Sequence, residues 1–105
     1  MNLPEPRGSE PGYRRPVVVL QRDEVNSSRL PTVVVCALTS NVALASARAN
    51  TLVPRSRTGL DRDSVANTSQ IATVNKIELE ELIGVVPRDV MERVDAGVRW
   101  FLGLE

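Results

Sequence analysis

Val17-Val18-Val19-Leu20 and Pro31-Thr32-Val33-Val34-Val35-Cys36-Ala37-Leu38-Thr39-Ser40 decide how this chain folds. Both runs are rich in β-branched residues, which suit a pleated surface better than a helix. The first is bounded by Pro16 and by Arg22-Asp23, and its unbroken apolar character predicts a strand buried on both faces. The second, starting after Pro31, predicts a longer strand over residues 32–40. A connection of ten residues, 21–30, joins them. A link that short makes the two strands antiparallel neighbours.

Further strand material follows downstream. Thr51-Leu52-Val53 is a short strand ended by Pro54, and residues 55–63 are a polar turn containing Gly59. Residues 64–66 and 70–74 read as two separate strand pieces. Residues 76–82 read as a short helix and residues 83–86, Ile-Gly-Val-Val, as a last short strand. Residues 41–50 are alanine-rich and read either as a weak helix or as a loop. Upstream, Pro4, Pro6, Gly8, Pro11, Gly12 and Pro16 break residues 4–16 into a loop through which neither helix nor strand runs. Its polar content, Arg7-Gly8-Ser9-Glu10 and Arg14-Arg15, is too rich for a plain linker. Long loops of this kind in small domains usually carry function.

Residues 87–102 form the clearest helix. Pro87 suits the first helical position, Asp89 complements the dipole in the first turn, and Gly103 supplies the stop. Val90, Val94, Val98 and Phe101 or Leu102 recur at helical spacing, with Met91 beside them, so this face packs on the core. Gly97 lacks helix propensity and fits where the helix comes close to a sheet. Several short strands and one terminal helix predict a mainly β fold, a small barrel or strongly curved sheet covered by that helix. With 105 residues and 42% hydrophobic content, residues 1–105 are one domain with one modest core.

Composition removes several classes of function. There is no histidine and a single cysteine, Cys36, so a zinc site is excluded as a working reading. Acid–base chemistry then falls to carboxylates, arginines, hydroxyls and backbone groups. Aromatic residues are only 3% of the chain, which argues against recognition through a platform of stacked rings. Cys36, inside an apolar run, is expected to be a buried structural thiol, which fits a reducing cytoplasm. The first residues show neither the basic nor the apolar region of a signal peptide, and no apolar run is long enough for a membrane span. The formal net charge is zero, but residues 1–57 hold eight arginines against four acids and residues 58–105 five bases against nine acids. The first half is the one suited to an anion. Twelve of the thirteen bases are arginine, the side chain best matched to phosphate. No phosphate-binding glycine loop, zinc pattern or nucleophile elbow is present.

Residues 7–16, Arg-Gly-Ser-Glu-Pro-Gly-Tyr-Arg-Arg-Pro, then Val17 to Gln21, Asn26 and Ala37-Leu38-Thr39-Ser40, closely resemble the MazF/PemK (Kid) family of toxins from type II toxin–antitoxin pairs. The likeness continues through residues 59–65, Ser69-Gln70-Ile71 and Leu102-Gly103-Leu104, in the family's order over nearly the whole chain. The resemblance implies an SH3-like small barrel of the CcdB/Kid/MazF type with a C-terminal helix, assembled as a homodimer. It implies a sequence-specific endoribonuclease, an mRNA interferase, that cuts single-stranded RNA with neither metal nor cofactor. Attack by the 2′-hydroxyl would leave a 2′,3′-cyclic phosphate and a 5′-hydroxyl. A cognate antitoxin would neutralise it with an extended acidic C-terminal segment.

Carried over by position, Arg15 corresponds to the family's catalytic arginine before proline. It would stabilise the phosphorane and donate a proton to the leaving oxygen. Thr39 would hold a non-bridging phosphate oxygen, and Glu10 would be the general base. Ser9, Arg14, Ser40, Asn67, Thr68, Ser69 and Gln70 would contact RNA. Without the resemblance, Glu10 and Arg15 read as a surface ion pair worth little, Thr39 as an ordinary strand residue, and residues 67–70 as a strand edge. Two features depart from the family pattern. Its usual first strand falls before Met1, with roughly ten residues absent by comparison with the family pattern: either the start lies further upstream than Met1, or the barrel lacks an edge. Ala72 stands where many relatives carry arginine. The alternatives are a non-catalytic CcdB-like toxin that binds DNA gyrase, or an inactive truncated relative.

Overall fold

The computed structural model describes residues 2–3, 13–20, 24 and 28–104. Strands β1 (Asn2–Leu3) and β2 (Tyr13–Arg14) pair with each other antiparallel. Strand β2 lies within the stretch expected to hold no strand. Two residues still fit between Pro11 and Pro16, because a proline-free gap of that size can pair on one side. Strands β3 (Val17–Val19), β4 (Thr32–Thr39), β5 (Thr51–Val53) and β6 (Ser64–Asn75) make a second sheet in the order β3-β4-β6-β5, antiparallel throughout. The C-terminal helix, Arg88–Leu102, packs against β5 and β6. This is the expected mainly β fold under one terminal helix, with the described strands forming a half-barrel sheet, and β3 and β4 are the expected antiparallel neighbours.

The core joins Val18, Cys36, Leu38, Val53 and Ala66 from the sheet to Val90 and Val94 from the helix. Four of these seven residues are valines. Cys36 is fully buried and its Sγ donates to the Asn67 carbonyl at 3.3 Å. Burial pushes its thiol up to about 11, so it is the inert structural residue expected.

Four expectations are corrected. Strand β3 is not buried on both faces: Val18 is 4% exposed but Val19 is 36% exposed, and among the described residues only β4 pairs with it. Residues 64–66 and 70–74 are parts of one strand, β6. Residues 83–86 form no strand, since no neighbouring backbone among the described residues pairs with them. The expected helix at 76–82 shrinks to one 3-10 turn, Lys76–Glu78, closed by a capping box between Asn75 and Glu78. Residues 41–50 resolve into a 3-10 helix, Val42–Ser46, and a turn.

The helix starts one residue later than expected. Pro87 caps it with ψ 152°, outside the helical region, and its carbonyl accepts the Met91 N–H at 2.9 Å. At the other end Gly103 is left-handed, φ 71°. The Gly103 N–H reaches the Trp100 carbonyl at 3.2 Å and the Leu104 N–H reaches the Arg99 carbonyl at 2.9 Å. This double closure satisfies carbonyls that the last turn would otherwise leave orphaned. Val90, Val94, Met91 and Val98 face the core as expected, but Phe101 and Leu102 are exposed. In the last turn Arg48 covers the Trp100 ring at 4.3 Å.

A second tie holds the start of the helix. Arg57, from the 3-10 turn Arg55–Arg57, grips Asp89 with two hydrogen bonds of 2.8 Å. The Arg57 guanidinium holds the Asp89 carboxyl down to about 2. A carboxyl depressed when folded stabilises above its unfolded value, about 3.9, and loses that contribution as pH falls through about 2. The melting temperature of the native chain should therefore fall more steeply between about pH 4 and pH 2 than that of an Asp89→Asn variant. Parallel melting curves across that window test this, and identical slopes would refute it.

Candidate active site

The β3–β4 register builds the site. Val17 pairs with Ala37, Val18 with Cys36 and Val19 with Val35. The Leu38 N–H then reaches the Pro16 carbonyl at 3.1 Å, so pairing continues past the end of β3. One step further puts Arg15 opposite Thr39. Pro16 helps, because a residue before proline is held extended. Side chains directly opposite on an antiparallel pair share a face, with Cβ atoms about 4.5–5.5 Å apart. That face is the one turned away from the helix, since the alternate residues Cys36 and Leu38 belong to the core beneath it. Arg15 and Thr39 are both half-buried.

Local bonding orients the threonine. Thr39 Oγ1 accepts the Asn41 N–H at 3.2 Å, a short side-chain-to-backbone turn at the end of β4. With a lone pair engaged there, the hydroxyl proton is what Thr39 offers to a ligand. Ser40, between them, is exposed. A guanidinium and a hydroxyl proton on one face at one strand end make a donor pair suited to the oxygens of a phosphodiester. Asn41 was not legible as a site residue, because its contribution is a backbone N–H.

Residues 67–70 have a different origin from the strand edge. Between the pairs Cys36–Ile71 and Leu38–Ala66, β4 advances past the single residue Ala37 while β6 passes four. The surplus bulges out of the ladder. Asn50 pins it: its Oδ1 accepts the Thr68 N–H at 3.0 Å and the Thr68 hydroxyl at 3.1 Å, while its Nδ2 donates to the Leu44 carbonyl at 3.1 Å. Thr68 is 2% exposed, so this bond holds the bulge together. Asn67 Oδ1 accepts both the Ser69 N–H and its hydroxyl, at 3.3 and 2.8 Å. Ser69 is exposed and Gln70 half-buried. Asn50 was missed in sequence because nothing local marks an asparagine as the peg of a distant bulge. Ala72, where an arginine is common in relatives, is exposed on β6.

Ser9 and Glu10, the Arg14 side chain and Asn26 lie outside the described residues. Among the described residues no three histidine, cysteine, aspartate or glutamate side chains are grouped so as to hold a metal ion. No described helix is long and apolar enough to cross a membrane.

The architecture is an antiparallel half-barrel covered by a helix, with Arg15 and Thr39 at one end of the β3–β4 pair. Solved structures share the fold. A Mycobacterium tuberculosis toxin, MazF-mt6, superposes with a TM-score of 0.76 over 87% of this chain and 88% of its own, at 23% identity. An endoribonuclease solved in complex with its cognate antitoxin, from a mycobacterial species, does so at 0.73 over 87% and 82%, at 22% identity. In sequence, the chain is 47% identical over 103 residues to Endoribonuclease MazF2 of Mycobacterium bovis, covering 98% of this chain and 90% of that protein. Residues 1–102 match the family of PemK-like, MazF-like toxins of type II toxin–antitoxin systems. The chain belongs to that family.

Proposed function

We propose that this protein is the toxin of a toxin–antitoxin pair, an endoribonuclease that cuts single-stranded RNA in the cytoplasm at short sequences and is neutralised by a cognate antitoxin. The observation that carries the reading is the 47% identity, over 98% of the chain, to a protein named as an endoribonuclease. The β3–β4 register supports the assignment of the chemistry. The 2′-hydroxyl attacks the adjacent phosphorus, the phosphorane gathers charge, and the 5′-oxygen departs. Arg15 stabilises the phosphorane and donates to the leaving oxygen. Thr39 holds a non-bridging oxygen through its hydroxyl proton. Glu10 takes the 2′-hydroxyl proton as the general base.

Ser9, Arg14, Ser40 and residues 67–70 line the RNA around that centre, with Thr68 contributing through the shape of the bulge. The protein acts as a homodimer, and an acidic, extended antitoxin segment competes with RNA for the arginine-rich first half of the chain.

The test is to incubate purified protein with unstructured RNA in excess EDTA and to sequence and chemically type the new ends. Cleavage at a recurrent short motif is expected, with 2′,3′-cyclic phosphate and 5′-hydroxyl ends. Loss of cleavage on chelation, or 3′-hydroxyl products, would sink the mechanism. Thr39→Val, which keeps shape and loses the donor, should lower the cleavage rate by about 10-fold or more, the scale of a lost hydrogen bond to a charged group. Thr39→Ser should stay near the native rate, and equal rates for both variants would remove the hydroxyl from the scheme.

A further inference from the structure

Beyond Thr39 the chain turns back toward the helix, and the sheet register measures how far it travels. Leu38 and Thr51 both pair with Ala66, so two strand spacings separate them, about 9–10 Å. The 3-10 helix Val42–Ser46 spans that gap and touches β5 and β6. It leads into the turn at 48–50, where Asn50 pins the bulge at Thr68. Gly97 lets the same turn press against the C-terminal helix, since a Cβ there would collide with the Ala49 carbonyl. This close approach lays the Arg48 guanidinium over the Trp100 ring, 4.3 Å from its centre.

A cleft of about 400 Å³ opens beside the stack. Arg93, Gly97 and Trp100 stand one turn apart along the helix wall, and Arg48 to Thr51 form the opposite wall. The charged residues lining it are Arg48 and Arg93, with no carboxylate among them. Arg93 lies 3.7 Å from Asp89, but two bonds of 2.8 Å commit that carboxylate to Arg57. Arg48 pairs with no carboxylate among the described residues. A guanidinium held flat on an indole keeps its outer plane for a nucleobase. A second guanidinium nearby suits a phosphate.

We propose that the cleft between Arg48, Arg93 and Trp100 is an outlying RNA subsite. It takes a nucleotide that flanks the cut, with the base stacked on Arg48 and the phosphate on Arg93. The inference rests on the nuclease reading and extends it to substrate outside the cleaved motif. Arg48 lies three residues before Thr51, at most about 11 Å further by chain length. At about 3.4 Å per stacked nucleotide, a strand gripped at Thr39 arrives there within about three to six nucleotides. Stacking tolerates any base, so the subsite adds affinity without changing the motif that is cut.

The probes are 2′-O-methyl oligonucleotides of mixed A and U, about four and about twelve nucleotides long. They lack the attacking hydroxyl and stay intact. Trp100 is the single tryptophan of the chain, so its fluorescence reports on the cleft. The longer probe should shift that emission and bind the native chain at least about 10-fold more tightly than the shorter, within the range of one stacked base. Arg48→Gln should bring the two affinities within about threefold of each other. Arg48→Lys should do nearly the same, because a point charge offers no plane for stacking. Arg93→Gln should lower the slope of log affinity against log salt by about 0.7, the signature of one lost phosphate contact. Arg99→Gln removes the same charge from the same helix outside the cleft, and should match the native chain in each measurement.

Equal binding of the longer probe by the native chain and Arg48→Gln would overturn the proposal, while cleavage of unstructured RNA by the same native preparation would leave the nuclease reading standing. Absence of any cleavage by the native chain would sink that reading and this inference with it. An end-blocked peptide of alternating leucine and glutamate that shifts the Trp100 emission, where the longer probe does not, would give the cleft to a protein partner instead. A lower mass of Arg48→Gln in light scattering would equally overturn the proposal, because a second copy would then fill the cleft.

Discussion

Arg15→Ala is expected to lower RNA cleavage by about 10²–10³-fold, the loss seen when one donor to a developing oxyanion is removed. The melting temperature should barely move. Arg15 stands outside the core cluster and follows the two-residue strand β2, so no cavity opens when it is truncated. Its contribution is made late in the reaction, when charge builds on the phosphoryl oxygens. The fall should therefore appear in kcat more than in KM. Arg15→Lys should recover little, because a point charge on a flexible stem cannot reproduce a planar fork of donors. Single-turnover cleavage of a short RNA, with melting curves recorded on the same preparations, measures both quantities. Near-native cleavage by Arg15→Ala would remove Arg15 from the chemistry.

Gly97→Ala should destabilise the protein, against the ordinary preference of helices. In an exposed helix interior the same exchange gains about 1 kcal/mol. Here a Cβ would lie 2.1 Å from the Ala49 carbonyl oxygen, 3.0 Å from its carbon and 3.5 Å from its Cα. Those are backbone atoms of the turn that leads into β5, so nothing can swing aside. Either the helix lifts off the sheet or the turn is pushed outward. Overpacking of this kind costs about 1–3 kcal/mol. At about 4–8 °C per kcal/mol for a domain near this size, the melting temperature should fall by roughly 4–24 °C. Calorimetry reads it directly, and an increase would mean that the helix and the 48–50 turn are not packed as described. The expectation that Gly97 lets the helix come close to a sheet is thus met at the turn before β5 instead of at a strand.

Much of the fold was readable because its signals are local. The β-branched runs at 17–20 and 32–40 fell on β3 and β4, Pro54 ended β5, and the valine spacing from 90 to 98 placed the buried face of the helix. Other features were not readable for equally physical reasons. Ile83 to Val86 have strand-like composition, yet a strand needs a neighbour's backbone, and the described structure offers none. The run from 64 to 74 looked broken by its polar middle. It is one strand with a pinned bulge, because Asn50, distant in sequence, satisfies the bulge's donors. Phe101 and Leu102 continue the helical stripe, but the packed core does not extend to them and both are exposed.

The candidate site divides in the same way. Residue types and local order alone mark Arg15 before Pro16, and Thr39 at the end of its strand, as members of the toxin pattern. They also determine that no imidazole takes part and that the first half of the chain carries the cationic excess. Only the tertiary structure decided that these two residues stand opposite one another and share the face turned from the helix. That outcome rests on the register of a ladder between segments some twenty residues apart. A slip of one residue in that ladder would turn one of the two side chains to the other side of the sheet.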